Sequence, residues 1–481
     1  MNAFHTLATL RAIEARAEAA GVDLMARAAR ASADWLIAKG ARRVLVAAGP
    51  GNNGGDALWA ACLLDDAGVD VAVWLPMQPA GPTGRAALAA LAERGVGVAR
   101  GADMPRGACD WIVDGLFGIG LARPLAAPWD GVVAALNAHG APILALDTPS
   151  GLDAMTGRAT GPVVRAAATL TFLAPKVGLV SGAGVDLAGD VTLAALDVPS
   201  DWWPAPAGGL TAPRPGVLAR PRDSHKGRFG AVCVVGGASG MLGAALLAGR
   251  AALAAGAGKV HVCPIDARLP VDPFAPELMI HELDDEARLP ACDVLALGPG
   301  LGLGGAARAL IDALIGVDKP LLLDADALNL VAADAGLGQR LAARVLPTVL
   351  TPHPREAARL LACDTAAVQA DRVAAAQTLA ERYRAVVVLK GAGSVIAAPG
   401  APFLVNGTGG PALAVAGQGD VLSGAIAALL AQGLAARDAA ALAVHAHGTA
   451  GDDYARDAGG PLGLTSAALL PRLSRMLNRY A

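Results

Sequence analysis

The chain has 481 residues, with 39 Lys and Arg against 42 Asp and Glu, and a formal net charge of −3. This length corresponds to roughly two to four domains, with two favoured. The slight negative charge, without any Lys- or Arg-rich run, excludes a nucleic-acid-binding surface built on net basicity. Six cysteines stand singly in the sequence. We therefore expect reduced thiols and no cysteine metal site.

Mean hydropathy is positive, at +0.46, which raises the question of a membrane segment. The longest stretch without a charge lies between Lys390 and Asp420, and glycines and prolines interrupt it throughout. A bilayer-spanning helix needs about 20 uninterrupted apolar residues, so we expect none. The N-terminus carries charges where a signal peptide has its apolar core. These features predict a cytoplasmic protein that does not act at a membrane.

In chain order, short Val- and Leu-rich runs alternate with longer Ala-rich segments, which indicates parallel α/β layers. In the first half, the predicted strands lie near residues 43–47, 70–74, 111–114, 142–147 and 169–172, with helices at 56–67 and 84–94. The segment 199–221 is rich in proline and glycine and predicts a linker. In the second half, the predicted strands lie near residues 231–235, 259–263, 294–297, 320–324, 348–351 and 386–389, and the end is helical from residue 420. The sequence thus predicts two α/β domains, residues 1–210 and 211–481.

A glycine-rich loop with the sequence GPGNNGGD, residues 49–56, follows the first predicted strand. It contains G-x-G-x-x-G, but two asparagines occupy the turn and no acidic residue ends the next strand to bind a ribose. An ordinary NAD-dependent oxidoreductase is therefore disfavoured. A purely structural turn would not need eight small or polar residues in a row. Backbone N–H groups together with side-chain amides suit a polar or anionic ligand.

Two further loops of the first half place carboxylates at strand ends. Asp114 begins the segment DGLFGIGLARP, and Asp147 begins DTPSGLDAMTG, which also contains Ser150. A single Asp after a strand is often only a turn or helix cap. Three such loops at one edge of a parallel sheet instead favour a binding site. Amide, carboxylate and hydroxyl oxygens are ligands for a hard cation.

These three motifs resemble the epimerase domain of bifunctional NAD(P)H-hydrate repair enzymes, over roughly residues 3–199. The resemblance implies a Rossmann-like three-layer fold and a K⁺ ion held by Asn53, Asp114 and Ser150. Asp147 would be catalytic. The implied contacts with the damaged nucleotide are Asn52, Asn53, Gly54, Gly55, Asp56, Gly118, Ile119, Gly120, Leu121, Ala122, Arg123, Pro124 and Asp147. The family glycine after GPGNNGGD is Ala57 here, a change that we expect the start of a helix to tolerate.

The second half carries its own loops after predicted strands, and none is a Walker P-loop because G-K-[ST] is absent. The turn GQGD, residues 417–420, opens a predicted helix. Free N–H groups there can stabilise a transferring phosphoryl group, and Asp420 can accept a proton from a hydroxyl. Asp420 could instead be only an N-cap. His353, between two prolines, is either a ligand contact or a histidine satisfied within its loop.

The segments SHKGRFG, GPGLG, TPHPREAARLL, LKGAGS and GQGDVLSG resemble the ADP-dependent NAD(P)H-hydrate dehydratase of the ribokinase-like superfamily, from about residue 224 onward. The resemblance implies substrate contacts from Ala244, Gly302, His353 and Asp420, with Asp420 as the catalytic base. It also implies adenine-nucleotide contacts from Lys390, Gly391, Ala392, Gly393, Ser394 and Gly419. Ala416 stands where the family usually has glycine, which could shift the anion hole.

Together the resemblances imply α/β domains for two successive repair reactions on hydrated NADH and NADPH. The first would interconvert the R and S hydrates. The second would dehydrate the S form with ADP as co-substrate, and the ADP would bind together with Mg²⁺. Ala-rich apolar faces favour a homo-oligomer. The alternative is a ribokinase-like small-molecule kinase with an N-terminal nucleotide-binding regulatory module. The preference between ADP and ATP, or between the two hydrates, stays open.

Overall fold

The computed structural model describes residues 3–121, 124–265, 269–282 and 289–481. It divides into two compact units, Met1–Gly209 and Leu210–Ala481. The division lies one residue from the predicted position. The predicted linker is more structured than expected, because it contains a 3₁₀ turn at Ser200–Trp202 and the strand Gly208–Leu210.

The first unit alternates helices and strands for most of its length. Its elements are β1 (Ala3–Phe4), α1 (Leu7–Ala19), α2 (Leu24–Ala38), β2 (Arg43–Ala48), α3 (Asn52–Asp66), β3 (Asp70–Leu75), α4 (Pro82–Glu93), β4 (Gly97–Arg100), β5 (Trp111–Gly115), α5 (Trp129–Ala138), β6 (Ile143–Leu146), β7 (Ala168–Phe172), α6 (Gly184–Leu187), β8 (Asp190–Ala194) and β9 (Gly208–Leu210). Strands β1, β4, β8 and β9 and helices α1 and α2 were not predicted.

A seven-stranded sheet in the order β4-β3-β2-β5-β6-β7-β8 forms the centre of this unit, and every neighbouring pair is parallel. Alternate residues of β2 show that helices cover both faces of this sheet. Val44 and Val46 pack in a cluster with residues of α1 to α4, and Leu45 and Ala47 pack with α5. A parallel sheet buried on both faces gives the predicted Rossmann-like three-layer fold. Separately, β1 and β9 form a short antiparallel pair.

The second unit is a larger α/β layer structure. Its elements are β10 (Ala231–Gly236), α7 (Leu242–Ala254), β11 (Lys259–Pro264), β12 (Met279–Ile280), β13 (Val294–Leu297), α8 (Gly305–Leu314), β14 (Leu321–Leu323), α9 (Ala325–Ala333), α10 (Ala335–Ala342), β15 (Thr348–Leu350), α11 (Pro354–Leu361), α12 (Thr365–Ala370), α13 (Arg372–Tyr383), β16 (Val386–Leu389), β17 (Val395–Ala397), β18 (Phe403–Val405), α14 (Gln418–Ala431), α15 (Ala436–Asp457) and α16 (Ser466–Leu477).

Within this unit the strands run in the order β18-β17-β16-β15-β14-β13-β10-β11-β12. The strands from β16 to β12 are parallel, and β17 and β18 add an antiparallel hairpin that the sequence did not predict. Val294 and Ala296 of β13 pack with residues of α7 and α14, and the alternating Leu295 and Leu297 are also fully buried. This is the predicted ribokinase-like α/β domain.

Both cores consist mainly of Ala, Val, Leu and Ile, which accounts for the positive mean hydropathy. None of the helices in the described ranges combines the length and the apolarity that a bilayer crossing needs.

In each unit the strand order reverses at one point, between β2 and β5 in the first and between β10 and β13 in the second. Ligands of open α/β sheets bind beside such a reversal, at the carboxyl ends of the strands. The predicted loops lie there or at the ends of neighbouring strands. The fold therefore predicts a ligand site at one edge of the sheet in each unit.

Candidate active sites

The site of the first unit is built on tightly packed glycines after β2 and β5. A Cβ at Gly54 would lie 1.9 Å from the carbonyl oxygen of Gly49, and a Cβ at Gly49 would lie 1.9 Å from that of Leu116. Only glycine allows these backbones to approach so closely. Ala57 is fully buried, and its methyl group occupies the space beside Gly115.

Asn53, Asp114 and Ser150 gather around residues 115–118, at the ends of β2, β5 and β6. The Ser150 hydroxyl donates to Asp114 Oδ1 at 2.7 Å, and the Ser150 backbone N–H donates to Oδ2 at 2.8 Å. The side chain of Asn53 is buried, and neither its Nδ2 nor its Oδ1 has a hydrogen-bond partner. A Cβ at Gly118 would lie 3.4 Å from Asn53 Cγ. An amide oxygen, a carboxylate and a hydroxyl thus lie around the same loop, residues 115–118.

Asp114 is completely buried, and burial raises its pKa to about 6, although its hydrogen bonds with Ser150 and Leu116 oppose the rise. A nearby cation would favour the ionised form. Among the residues that the structure describes, no cluster of three His, Cys, Asp or Glu side chains could hold a metal ion. A cation here would depend on the amide and hydroxyl oxygens as well.

Asp147 follows β6 in a left-handed conformation, with φ of 63°. Its Oδ1 is paired with the ammonium group of Lys176, and its Oδ2 accepts the backbone N–H of Ile119 at 3.1 Å. Lys176 is 3% exposed and also donates to Thr171 Oγ1 at 2.9 Å and to the carbonyl oxygen of Phe172 at 2.6 Å. All three ammonium protons therefore have acceptors. The pair holds Asp147 against the loop that carries the predicted nucleotide contacts.

Sequence reasoning missed Lys176, although it lies four residues after β7 and the same search of strand ends would have reached it. It also missed two features of the surrounding charge. Burial and then the charge of Asp147 raise the pKa of Asp56 well above its usual value. Glu14 of α1 has an exposed side chain, yet the crowding around its carboxyl and the charge of Asp147 raise its pKa. The site thus contains one ion-paired carboxylate, Asp147, near two carboxyls whose pKa values are raised.

The other predicted residues of this unit are placed as follows. Asn52 to Asp56 form the first turns of α3, and Gly118 to Leu121 with Pro124 belong to the loop after β5. Ala122 and Arg123 lie outside the described residues.

The site of the second unit centres on the first turn of α14. The helix begins at Gln418, and Gly417 is its N-cap with φ of 87°. Asp420 is therefore the third helical residue and not the cap, which removes the alternative explanation for it. The first intrahelical bond runs from Val421 N to the oxygen of Gly417 at 3.1 Å. The N–H groups of residues 418–420 precede it, at the positive end of the helix dipole.

Asp420 lies among other charges. Burial is the main reason that its pKa is raised to about 7, and the charge of Asp324 adds to the rise while Lys390 opposes it. Lys390 Nζ donates to Asp324 Oδ1 at 2.7 Å. Burial alone would lower the pKa of Lys390, but Asp324 and Glu356 outweigh burial and raise it. The structure thus brings Lys390, Gly419 and Asp420 together.

His353 is the N-cap of α11. Its Nδ1 accepts the N–H groups of Arg355 at 3.1 Å and Glu356 at 3.3 Å, and Glu356 Oε2 accepts the N–H of His353 at 2.8 Å. This is a capping box in which a histidine takes the usual place of Ser or Thr. Because Nδ1 is an acceptor, Nε2 carries the proton and lies 3.2 Å from Glu356 Oε1. The ring is 46% exposed, so one side of it is open to a ligand.

Glu356 was not recognised from the sequence. It is buried, and burial raises its pKa to about 7 against the effect of Lys390. Its carboxyl lies next to the ring of His353 and also raises the pKa of Lys390.

The remaining predicted residues line neighbouring strand ends. Gly302 N donates to Asp326 Oδ2 at 2.8 Å, and Asp326 is one of the groups that raise the pKa of Asp420. Ala244 lies in the first turn of α7, next to Gly300. The loop Gly391–Ser394 forms a turn of its own, in which Ser394 Oγ donates to the oxygen of Gly391 at 3.1 Å. The carbonyl oxygen of Ala416 accepts Ser466 Oγ at 2.6 Å.

Two buried side chains, Arg372 and His447, support Lys390 and the start of α14. The guanidinium of Arg372 donates to the carbonyl oxygens of Leu389 at 3.2 Å and Lys390 at 3.3 Å. His447 Nε2 lies 3.0 Å from Gln418 Oε1, and burial lowers the pKa of His447 to about 4. The buried imidazole of His447 therefore packs against the first residue of α14.

Comparisons with known proteins match both units. The NAD(P)H-hydrate dehydratase family model matches residues 232–474, and the model of the YjeF-related protein N-terminus matches residues 21–178. The bifunctional NAD(P)H-hydrate repair enzyme Nnr of Coxiella burnetii is 36% identical over 98% of each chain. That of Escherichia coli is 38% identical over 91% of this chain and 85% of its own.

Among solved structures, the ADP/ATP-dependent NAD(P)H-hydrate dehydratase of Bacillus subtilis, co-crystallised with ATP and Mg²⁺, is 30% identical. It covers 56% of this chain and 95% of its own, with a TM-score of 0.49. These relatives, which match this chain over nearly its full length, and the two domain matches show that it belongs to the family of bifunctional NAD(P)H-hydrate repair enzymes.

Proposed function

We propose that this protein repairs hydrated NADH and NADPH in two steps. The first unit, predicted as residues 1–210, interconverts the R and S hydrates. The second, predicted as residues 211–481, dehydrates the S hydrate and converts ADP to AMP and phosphate. The observation that carries the proposal is the pair of separate sites, each with a carboxylate, Asp147 or Asp420, near a lysine that is itself ion-paired.

In the dehydratase site, Asp420 takes the proton of the substrate hydroxyl as the phosphoryl group moves from ADP to that oxygen. The N–H groups at the start of α14 and the ammonium group of Lys390 stabilise the charge on the moving group. Phosphate then leaves with the bonding electrons, and loss of a proton from the neighbouring carbon restores the double bond. The loop Lys390–Ser394 holds the adenine nucleotide, with Mg²⁺ as its companion, and His353, Gly302 and Ala244 face the substrate.

In the epimerase site, Asp147 is the proton acceptor beside the nicotinamide ring, and the ion pair with Lys176 holds it in position. Asn52 to Asp56 and the loop from Gly118 to Pro124 hold the nucleotide. This site also holds K⁺ in the proposal, through Asn53, Asp114 and Ser150. The unpartnered buried amide of Asn53 supports this assignment, because an orphaned polar group costs about 1–3 kcal/mol unless a ligand satisfies it. Bound K⁺ supplies positive charge for the phosphates of the nucleotide.

The potassium site is tested by measuring epimerisation in buffers that contain K⁺, Na⁺ or choline as the only monovalent cation. We expect K⁺ to support the highest rate, and Asn53→Ala to lose the dependence on K⁺. Equal rates of the wild-type protein in all three buffers would rule out a potassium requirement.

The function itself is tested with purified protein and a mixture of R and S hydrates of NADH. Recovery of the absorbance of NADH at 340 nm should require an adenine nucleotide and should reach the full amount of both hydrates. ADP and ATP are compared in parallel. A stable phosphorylated product without recovered NADH would instead identify the alternative small-molecule kinase. Family membership favours repair over that kinase.

A further inference from the structure

Asp324 connects three elements of the dehydratase site, although no motif singled it out. It directly follows β14 and is 1% exposed. Its Oδ1 accepts Lys390 Nζ, from the end of β16, at 2.7 Å, and its Oδ2 accepts Ser423 Oγ, from α14, at 2.7 Å. A buried carboxylate is stable only with such partners. Asp324 therefore ties the lysine and the helix to each other.

The position of Gly419 shows where the lysine points. A Cβ on Gly419 would lie 3.3 Å from Lys390 Nζ and 3.7 Å from Asp324 Oδ2. The ammonium group thus lies against the first turn of α14, next to Asp420 along the chain. Lysine has a flexible four-carbon stem, and its charge stays at one point only when an anchor fixes it. Asp324 is that anchor.

We propose that Asp324 is a positioning residue of the dehydratase site: it holds the Lys390 ammonium beside the start of α14, where the transferred phosphoryl group is bound, and its charge acts on Asp420. This inference rests on the proposed ADP-dependent dehydration. It assigns Lys390 to the point of phosphoryl transfer as well as to the nucleotide loop. Asp324 does not touch the substrate and acts through Lys390 and Asp420.

The charges around Asp420 make the inference testable by pH. Burial, Asp324 and Asp326 raise the pKa of Asp420 to about 7, and Lys390 opposes them. Glu356 faces the same lysine. A base must be ionised, so the dehydration rate falls as the pH drops below the pKa of Asp420. Removing the negative charge of Asp324 should lower this pKa, and the acid limb of the rate profile should move to lower pH.

The experiment uses the full chain with Asp324→Asn and measures kcat for dehydration against pH at saturating ADP and S hydrate. We expect kcat to fall on the order of 10²-fold, as for other displaced catalytic groups, and the acid limb to shift to lower pH. Ser423→Ala is the matched control, because it removes one hydrogen bond to Asp324 but no charge. Its acid limb should stay at the wild-type pH.

An unshifted acid limb, or an unchanged kcat, in Asp324→Asn would overturn the proposal. Epimerisation by the same sample reports whether the chain is folded elsewhere. If Asp324→Asn does not fold, Asp324→Glu decides, since it keeps the charge but moves it. That variant should keep the wild-type acid limb and lose kcat, and a wild-type kcat would count against positioning. If the wild-type protein shows no ADP-dependent dehydration, the proposed function fails instead.

Discussion

Asp147 and Asp420 are both aspartates, but their carboxyl groups lie in two different electrostatic environments. Asp147 is paired with a buried lysine whose three protons are all bound. Asp420 lies near two further aspartates, and its pKa is raised to about 7. The first environment holds the carboxylate of Asp147 in place through an ion pair and a backbone hydrogen bond. The second produces a group that can both take up and release a proton near neutral pH, which suits a reaction that begins with proton transfer from a hydroxyl.

Asp420→Asn should abolish dehydration and leave epimerisation intact. The amide cannot accept the hydroxyl proton, so we expect a loss of about 10²–10⁴-fold, the usual contribution of a general base. Dehydration is followed at 340 nm with S hydrate and ADP, and epimerisation is followed by chromatographic separation of the hydrates. An equal loss of both activities would show that the two reactions do not use separate sites.

Lys176→Met should destabilise the first unit and abolish epimerisation. It leaves the carboxylate of Asp147 buried without its cation, which costs about 3–5 kcal/mol. The double variant Asp147→Asn/Lys176→Met removes both charges and should regain most of this stability without regaining activity. All seven tryptophans lie before residue 210, so their fluorescence during urea unfolding reports on the first unit alone. A single variant as stable as the wild type would show that the ion pair is dispensable for folding.

Sequence reasoning reached the residues that directly follow glycine-rich turns, because such turns leave a local signature. It did not reach Lys176, Asp324 or Glu356. Lys176 and Asp324 have no local pattern, and the role of each depends on a partner 29 or 66 residues away along the chain. Glu356 pairs with His353 only three residues away, but histidine is not a usual capping residue. The motif also left open whether Asp420 was only a helix cap. Gly417 decides this, because the cap position belongs to it.

At the scale of elements, the starts of α3 and α14 are the critical parts. Each helix has a glycine at its N-cap, and neither has a side-chain cap. The uncapped N–H groups stay available to an anionic ligand. His353, in contrast, caps α11 with its own ring. A histidine cap is not in the usual set of capping residues, which is why the sequence did not predict it.

Gly54→Ala should disrupt the start of α3, and Gly51→Ala is the matched control. A Cβ at Gly54 would overlap the carbonyl oxygen of Gly49 at 1.9 Å, whereas a Cβ at Gly51 meets nothing within 4 Å. We expect Gly54→Ala to lose epimerisation by at least about 10²-fold, since displacing a site by about 1 Å has this effect. Gly51→Ala should keep most of the activity. Comparable losses in both would show that steric approach is not the reason for Gly54.

The strand predictions were most accurate for the buried parallel strands. Val294–Leu297 and Val386–Leu389 coincide with β13 and β16. Continuous apolar runs define such strands without reference to the rest of the chain. The strands β9, β17 and β18 were not predicted. Each has only three residues, and the sequence alone does not identify the strand with which it pairs.

At the scale of the whole molecule, the two sites lie in separate compact units. A mixture of Asp147→Ala and Asp420→Asn proteins should therefore repair R hydrate, because the S hydrate released by one chain can enter the dehydratase site of another. Asp147→Ala alone should consume only the S hydrate and leave the R hydrate. The measurement is NADH recovered from pure R hydrate with ADP. No recovery from the mixture would indicate that the intermediate passes only within one chain.

The two α/β units, the strand ends that carry the loops and the family can be predicted from the sequence, because apolar periodicity and glycine-rich turns are local features of the chain. Which charges lie together depends on the folded structure. Asp147 meets Lys176, and Asp420 lies beside Lys390 and Asp324, since parallel strands bring residues that are far apart in sequence to one edge of a sheet. The electrostatic environment of each carboxylate depends on these partners and on burial, and both arise only when the layers pack.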